Sequence, residues 1–259
     1  MQKGIKFRIY PNKEQQNLIN QTFGCCRLIY NKGLAMRNEA YDSGNKIGYA
    51  QTSAMLTELK KCEDFAFLKV VDSIALQQSL RDLDRGFVNF FQKRAAHPTF
   101  KSKHNRHQSY RTVNQGNHIR IAGKYIKLPK LGYIKIRQSM EVGKINNVTI
   151  QCTPTGKYFA VLNVEFEPQP SPNNAGSIGI DVGIKDFYSD SNGKVVSNPK
   201  YLEKSMRKLI REQRMLSRKQ KGSNNRNKQR VKVALVHEKI TNQRNDFLQK
   251  QSTLLIREN

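Results

Sequence analysis

Cysteines, acidic residues and long apolar runs are all scarce in this sequence. Its four cysteines, Cys25, Cys26, Cys62 and Cys152, include no C-x-x-C pair, which excludes a zinc ribbon and a redox dithiol within the chain. We expect no zinc here, and we expect the cysteines to be reduced core residues of a cytosolic protein. No segment reaches the ~18 apolar residues of a membrane-spanning helix. The first residues also lack the apolar core of a signal peptide.

Basic residues greatly outnumber acidic ones. The 259 residues include 46 Lys plus Arg against 20 Asp plus Glu, a formal net charge of +26. A charge of this size repels itself unless an anionic partner screens it. Nucleic acid is the usual partner. An anionic membrane surface is the alternative, which the lack of a long apolar segment disfavours.

The positive charge is concentrated in two blocks. No acid occurs between Asp84 and Glu141, and the only acid between Lys204 and Lys232 is Glu212. The first block is interleaved with the aromatic residues Phe100, Tyr110, Tyr125 and Tyr133. A charged run alone is usually a solvated surface. Two blocks, one of them with interleaved aromatics, favour a surface that follows the backbone of a long polyanion.

Hydrophobic periodicity predicts a strand followed by helices in the first third of the chain. Residues 3–10 alternate as in a half-buried strand. Residues 12–95 then carry apolar side chains at helical spacing and predict a small bundle. Helix starts are predicted at Asn12, where N-x-x-Q is a capping-box pattern, at Ser53, and at Asp72 or Ser73.

From about residue 96 the periodicity changes to two over several short segments. Turn signals at Gly123-Lys124 and Thr155-Gly156 indicate antiparallel hairpins. A small barrel or curved sheet is the natural assembly of such strands. The strand at residues 3–10 has no partner of its own, so we expect it to join this sheet, which makes the helical part an insertion.

The last third begins with a Pro-rich linker, predicted at residues 169–176. A strand is predicted at residues 178–182, and it contains the lone carboxylate Asp181. Two long helices follow, from about Tyr201 to Gln220 and from about Arg226 to Glu258. From the residues alone, Asp181 is either a metal ligand or a strand-end acid.

Five segments, in this order, resemble the TnpB family, the RNA-guided nucleases encoded by IS200/IS605-type transposons. They are TFGCCRLIYNKGL, LQQSLRDLDRGFVNFF, HPTFKSKHNRHQSYR, IGIDVGIKDF and HEKITNQRNDFLQKQSTLLIREN. The resemblance implies an α+β multidomain fold, in which a split β-barrel wedge domain with an inserted helical recognition bundle precedes an incomplete RNase H-like (RuvC) domain with long helices. The implied parts are residues 1–11 and 96–168 for the wedge, 12–95 for the insert and 177–259 for the RuvC part.

The resemblance also implies a guide RNA made from the transposon end and a double-stranded DNA target with a short flanking motif. In a RuvC site, an acid on the first strand and two further carboxylates hold a pair of Mg²⁺ ions. Asp181 matches the first acid, and no later acid of this chain ends an apolar strand. Metal binding at Asp181 would therefore need carboxylates from elsewhere.

Three interpretations are open, since family members continue beyond the position of Asn259 into the second Glu and a zinc ribbon. The preferred one is a C-terminally truncated, nuclease-dead protein that binds guide RNA and target DNA. The second is a fragment of an active metal-dependent endonuclease, and the third is a general basic RNA- or DNA-binding protein of transposon origin. The expected location is the cytoplasm, in association with the bacterial nucleoid, and the oligomeric state stays open.

Specific contacts can be assigned to side-chain types. For the flanking motif we expect contacts from a helix and from a loop, because amides can pair with adenine edges. The helix contributes Ser73, Gln77 and Gln78, and the loop contributes Gln108 and Ser109. Phosphate contacts are expected from Lys101, Lys103, Arg106, Arg111, Lys124, Lys127, Arg207, Arg211 and Arg218.

Overall fold

The computed structural model describes residues 1–105, 107–168 and 176–258. The chain divides into two compact units, the first over residues 1–167 and the second from residue 168 onward. Apart from Gly176, the predicted linker at 169–176 lies outside the described residues. Among the described helices, none is long and apolar enough to cross a membrane.

The first unit is built on a seven-stranded antiparallel sheet. Its strands are β1 (Gln2–Tyr10), β2 (Gln108–Val113), β3 (Arg120–Ala122), β4 (Tyr125–Leu128), β5 (Gly132–Arg137), β6 (Ile145–Cys152) and β7 (Tyr158–Glu165). The strand order is β2-β6-β7-β1-β5-β4-β3. The N-terminal strand therefore lies between β7 and β5, which confirms that it joins the sheet formed after the helices.

The helices of this unit lie between β1 and β2 in sequence. They are α1 (Lys13–Asp42), α2 (Tyr49–Lys61), a 3-10 helix (Glu63–Lys69) and α3 (Ser73–Phe91). The predicted start of α1 is confirmed, because the Gln15 amide donates to Asn12 Oδ1 at 2.8 Å and the Asn12 amide donates back to Gln15 Oε1 at 3.0 Å. Asp72 caps α3 by accepting from the Ile74 amide at 2.9 Å.

The predicted start of α2 at Ser53 is wrong. The helix begins at Tyr49, because the Gln51 side chain accepts a hydrogen bond from the Gly48 amide at 3.0 Å and caps the helix earlier. The cysteine prediction also needs correction. Cys25 and Cys26 are buried, but Cys62 is exposed where α2 ends, and all four cysteines are free thiols.

The main core forms where one face of the sheet packs against α1 and α3. Phe7 and Ile9 of β1 are almost completely buried there, together with Ile19 and Phe23 of α1. Burial of each such side chain contributes about 1.5–3 kcal/mol. Gly33 lets α1 approach α3 closely, since a Cβ at this position would lie 2.8 Å from a Leu80 methyl carbon.

The second unit combines a small sheet with a helical hairpin. Its elements are β8 (Ile180–Asp181), β9 (Asp186–Asp190), β10 (Val195–Ser197), α4 (Tyr201–Ser217) and α5 (Asn224–Glu258), with strand order β10-β9-β8. The strand predicted at 178–182 is only two residues long. Among the described strands it pairs only with β9, and Ile180 and Val182 are exposed. Leu209 of α4 packs with Val233, Val236 and Ile240 of α5.

Candidate nucleic-acid interface

The second face of the seven-stranded sheet carries cations and aromatic rings. Successive side chains of a strand point to opposite faces, and β1 follows this rule. Phe7 and Ile9 face the core, whereas Lys6, Arg8 and Tyr10 point to the other face. The sequence of β1 therefore provides two cations and one ring to a surface that α1 and α3 leave uncovered.

The register of the neighbouring strands extends this surface. Arg8 lies opposite Phe159 of β7 and Arg137 of β5, and Tyr10 lies opposite Lys135. On the far side of β5, Lys127 of β4 lies opposite Tyr133. The surface, here called the open face, comprises Lys6, Arg8, Tyr10, Arg120, Tyr125, Lys127, Tyr133, Lys135, Arg137 and Phe159. None of these ten residues is an acid; Glu165 shares the outward side of β7 but lies at its far end, opposite Gln2. About half of the surface of Tyr10, Tyr125 and Tyr133 is exposed.

The rings of the open face orient its cations. The Arg8 guanidinium lies 5.2 Å from the Phe159 ring centre and 5.5 Å from that of Tyr10. Lys6 Nζ lies 4.5 Å from the Phe159 centre. These distances are in the range of cation–π contacts. Within the described part of the chain, Arg8 Nε has no hydrogen-bond partner, and the two rings are the contacts that orient this side of the guanidinium.

The phenol of Tyr133 is also affected by its neighbours. Arg120 donates a hydrogen bond to its oxygen at 3.5 Å. This bond, together with the positive charge of Arg120 and then Lys127, lowers the pKa of Tyr133. Charged donors and exposed rings in alternation can bind phosphates and stack bases on the same surface.

Most of the open face was missed from the sequence. Of its cations only Lys127 was assigned to a contact, although Tyr125 and Tyr133 were recognised as rings interleaved with the first basic block. Lys124 lies exposed in the adjacent turn between β3 and β4. The available signal was the alternation in KFRIY at residues 6–10 and in YIKIR at residues 133–137. That signal shows which residues share a face, but only the strand order brings the two segments side by side.

A second group of polar residues lies where β2 meets α1 and α3. Arg111 of β2 forms an ion pair with Asp82 of α3. The Asn31 side chain makes two hydrogen bonds with the backbone of Lys101, accepting from its amide at 2.8 Å and donating to its carbonyl at 3.0 Å. Lys101 Nζ lies 3.9 Å from the centre of the Tyr30 ring. This group of five residues is called the β2-edge cluster below.

The two cations of the β2-edge cluster are already engaged in this structure. Lys101 is exposed as a whole residue, but desolvation around its ammonium group lowers its pKa, and the charge of Asp82 partly offsets the shift. Arg111 is paired with the same Asp82. Lys103 is exposed and is not part of this cluster. Arg106 lies outside the described residues.

The predicted base-reading residues differ in accessibility. Ser73 and Gln77 are exposed on α3, and Ser73 accepts a hydrogen bond from Lys60 Nζ at 3.1 Å. Gln78 is only 8% exposed, so the expectation that it contacts a base edge is not supported. The packing of α3 thus exposes Gln77 and buries Gln78.

Gln108 and Ser109 were expected in a loop, and this expectation is wrong. They are the first two residues of β2 and pair with Cys152 and Gln151 of β6. The strand escaped prediction because its inward position Thr112 is polar. The Thr112 hydroxyl donates to a carboxylate oxygen of Asp72 at 2.5 Å, which satisfies both groups inside the core.

The cations predicted in the second unit lie on the exposed side of α4. Arg207, Arg211 and Arg214 follow at spacings of four and three residues, which places them on one face of the helix, and Arg218 is the C-terminal cap residue. These four arginines are called the arginine stripe. All of them are exposed.

The other face of α4 is held against α5 by a buried polar contact. Gln229 Nε2 donates to Glu212 Oε2 at 2.7 Å, and Arg211 donates to Glu212 Oε1 at 3.1 Å. The hydrogen bond from Gln229 and then that from Arg211 lower the pKa of Glu212. This carboxylate is therefore ionised near neutral pH and is already satisfied.

Asp181 lies exposed at the end of β8, opposite Ser189 of β9. Among the described residues, no group of three or more His, Cys, Asp or Glu side chains could hold a metal ion. A two-metal hydrolytic site needs several converging carboxylates. The residues present around Asp181 do not fit a Mg²⁺ pair, and no hydrolytic step can be derived through one.

Comparison with solved structures agrees with this architecture. The chain is similar to one in a cryo-EM structure of the Cas12f1-sgRNA-target DNA complex, with a TM-score of 0.50 and 11% identity over 98% of this chain and 77% of that chain. The likeness concerns the fold alone. It confirms the predicted α+β class, with a wedge-type half-barrel followed by a RuvC-like part.

Two family models of the IS605 OrfB group also match. The one described as "Probable transposase" matches residues 160–259, and the one described as "Helix-turn-helix domain" matches residues 1–46. Within those first 46 residues the structure has β1 and the single continuous helix α1, and the next helix begins at Tyr49.

Two curated relatives match nearly the whole chain. A putative RNA-guided DNA endonuclease of Streptomyces pristinaespiralis is 40% identical over 263 residues, which cover 100% of this chain and 65% of that protein. The putative RNA-guided DNA endonuclease InsQ of Escherichia coli is 37% identical over 97% of this chain and 62% of its own length. The chain thus spans slightly less than two thirds of these relatives. It belongs to the OrfB family of IS605-type transposons, which is the TnpB family.

Proposed function

We propose that this chain is an RNA-guided DNA-binding protein of the TnpB type. It binds a transposon-derived guide RNA and a double-stranded DNA target that carries a short flanking motif. The observation that carries the proposal is the open face, on which cations alternate with exposed rings and no acid intervenes. Family membership and the names of both curated relatives support the same partners.

The guide RNA is assigned to the open face because RNA is recognised largely through unstacked bases and backbone phosphates. Tyr10, Tyr125 and Tyr133 provide exposed rings for bases, and Arg8 and Lys127 provide charge next to those rings. Sequence specificity for the target is then delegated to base pairing with the guide. The target lies in the bacterial nucleoid.

The flanking motif is assigned to α3 and the beginning of β2. Gln77 is exposed on α3, and its amide can pair with the N6 and N7 edge of adenine. Ser73 lies one turn earlier, and Ser109 is exposed on β2. Lys103, Lys124 and the arginine stripe supply phosphate contacts, which fix position rather than sequence.

A second candidate is a metal-dependent RNA-guided endonuclease. The printed names of the two curated relatives and the presence of Asp181 on β8 favour it. The further carboxylates would then have to come from outside the 259 residues, as in the interpretation of this chain as a fragment. A general basic nucleic-acid-binding protein is the third candidate, and the same experiment separates it from the first.

The test is the dependence of DNA binding on the guide. The purified chain is loaded with transposon-end RNA whose guide segment matches one labelled duplex. We expect tight binding to the matched duplex and weak binding to a scrambled duplex of equal length and composition. Equal affinity for the two duplexes would leave only the general basic protein. Binding to both should weaken steeply between ~0.05 M and ~0.2 M salt.

A further inference from the structure

A cavity of about 650 Å³ lies between the C-terminal ends of α1 and α3. Residues of both helices and of the segments that follow them line it, including Arg37, Tyr41, Lys46, Phe90, Phe91 and His97. None of these belongs to the open face or to the β2-edge cluster. We propose that this aromatic cavity binds one unstacked nucleobase of a single-stranded nucleic acid. The inference rests on the proposed function only in that the ligand is a nucleic acid.

The segment that follows α3 forms one wall of the cavity. Gly86 has no side chain, so Pro98 can pack against α3, and a Cβ at Gly86 would lie 3.4 Å from the Pro98 ring. This contact places His97 edge-on against two rings. Its ring centre lies 5.3 Å from that of Phe87 and 5.2 Å from that of Phe90, at angles of 90° and 83°. Edge-to-face packing of this kind fixes ring orientation.

The mouth of the cavity exposes two large rings from different helices. Phe91 of α3 is 67% exposed and Tyr41 of α1 is 73% exposed, although Phe91 packs on Phe87 with an angle of only 28° between the rings. Single exposed apolar residues are common, but exposed rings grouped around one cavity form a patch that can mark a binding surface. A planar base can stack on such a ring, and every base offers a π-face for it.

Arg37 forms the floor and is held rigidly. Its Nη1 is 2.7 Å from Asp84 Oδ1, its guanidinium lies 4.0 Å from the Phe87 ring centre, and only 12% of its side chain is exposed. The Asn38 and Asn45 side chains add amide groups to the lining. Amides next to aromatic rings provide both hydrogen bonds and stacking for a heterocycle.

Charge favours a nucleic acid over an apolar peptide as the occupant. Arg37 is neutralised by Asp84, and Asp42 of the lining offsets Lys46. Lys93 and Arg94 lie exposed just after α3, at the start of the long stretch without acids. The phosphates on either side of a bound base would therefore meet positive charge. A hydrophobic side chain from a second copy of the chain would not use these cations.

The absence of tryptophan from the sequence makes a local reporter possible. In Phe91→Trp the new residue is the only tryptophan, and its emission reports stacking at the cavity. A short oligoadenylate should quench this emission, whereas an abasic oligomer of the same length and charge should not. The matched control is Phe67→Trp, because Phe67 is 46% exposed on the 3-10 helix, away from the cavity lining. Its emission should respond to neither oligomer.

Affinities provide the second measurement. Phe91→Ala and Tyr41→Ala should each weaken oligoadenylate binding about 5- to 50-fold and leave abasic binding unchanged. Both residues are exposed, and melting curves verify folding. Equal quenching by the abasic oligomer, or unchanged oligoadenylate affinity in both variants, would overturn the proposal. A change in Trp emission with protein concentration alone would instead identify an interface between copies. If the wild type still discriminates matched from scrambled target DNA, only the cavity assignment has failed.

Discussion

The open face of the first unit and the arginine stripe of the second unit both present several cations, but they differ in what lies between those cations. On the open face, rings such as Phe159 and Tyr133 lie next to cations, close enough for contact. On α4, the only aromatic residue is Tyr201 at the first position. The same charge is thus combined with base-stacking groups in one region and not in the other.

The different side-chain periodicities of strands and helices explain this difference. A strand places every second residue on one face, so the open face is assembled from a few residues on each of several strands. Neighbouring strands then interleave residue types that are distant in sequence, such as Arg8 and Phe159. A helix face draws on one continuous segment, so the Arg-rich sequence of α4 yields a cationic surface without interleaved rings. Net charge alone would not distinguish the two regions.

The largest expected effect comes from removing one cation and its ring together on the open face. Arg8→Ala with Phe159→Ala should weaken guide-RNA binding by about 100-fold, because one phosphate contact and one stacking surface are lost. The measurement is a filter-binding or anisotropy titration at fixed salt. Lys144→Ala is the matched control, since it removes one charge from the same unit at an exposed position. A similar loss in both variants would mean that only charge matters there.

Base reading by Gln77 is a third kind of contact, beside ring stacking on the open face and charge on the arginine stripe. Gln77→Ala should relax the preference for one base pair of the flanking motif by ~1–3 kcal/mol. Lys103→Ala should instead weaken binding to all sequences alike and reduce the salt slope by about 0.9. The readout is a binding competition among duplexes with every base pair at each motif position. An intact motif preference in Gln77→Ala would show that another element reads the motif.

A smaller effect is expected from the arginine stripe. Replacing Arg207, Arg211 and Arg218 with Ala should weaken binding about fivefold at ~0.2 M salt, with equal effects on base-containing and abasic RNA. The control removes the same charge from α5 through Lys239→Ala, Arg244→Ala and Lys250→Ala. A larger loss for base-containing RNA would contradict the distinction drawn between the two regions.

The smallest effect is expected at Asp181. Asp181→Ala should leave guided DNA binding unchanged, because the side chain is exposed and lies on neither basic surface. Binding and cleavage of a labelled, guided target are measured side by side for wild type and variant with Mg²⁺ and Mn²⁺. Metal-dependent cleavage by the wild type that disappears in Asp181→Ala would favour the endonuclease over the binding-only protein.

The parts of the fold that depend on local chemistry could be predicted from the sequence. The caps at Asn12 and Asp72 are local hydrogen bonds. The N-terminal strand has no neighbouring strand in sequence, so its backbone groups must pair in the sheet formed by the later strands. Strand β2 could not be predicted, because buried Thr112 needs Asp72, which lies 40 positions away in sequence. Which of Gln77 and Gln78 is accessible likewise depends on how α3 packs. The local sequence pattern does not determine this packing.

The central position of β1 also affects how the protein is made. Met1 and Phe166 exchange two backbone hydrogen bonds, at 3.0 and 3.1 Å, so the residue just before β1 has its partner at the far end of the unit. At a synthesis rate of ~5–20 residues per second, β1 waits roughly 8–30 s for β7 to emerge from the ribosome. During this time Phe7 lacks its β7 neighbour Ala160, and Ile9 can pair only with Ile136 of β5 once that strand has been made. Amino-terminal fusions that hinder this late pairing should therefore lower the yield of folded protein more than tags placed elsewhere on its surface.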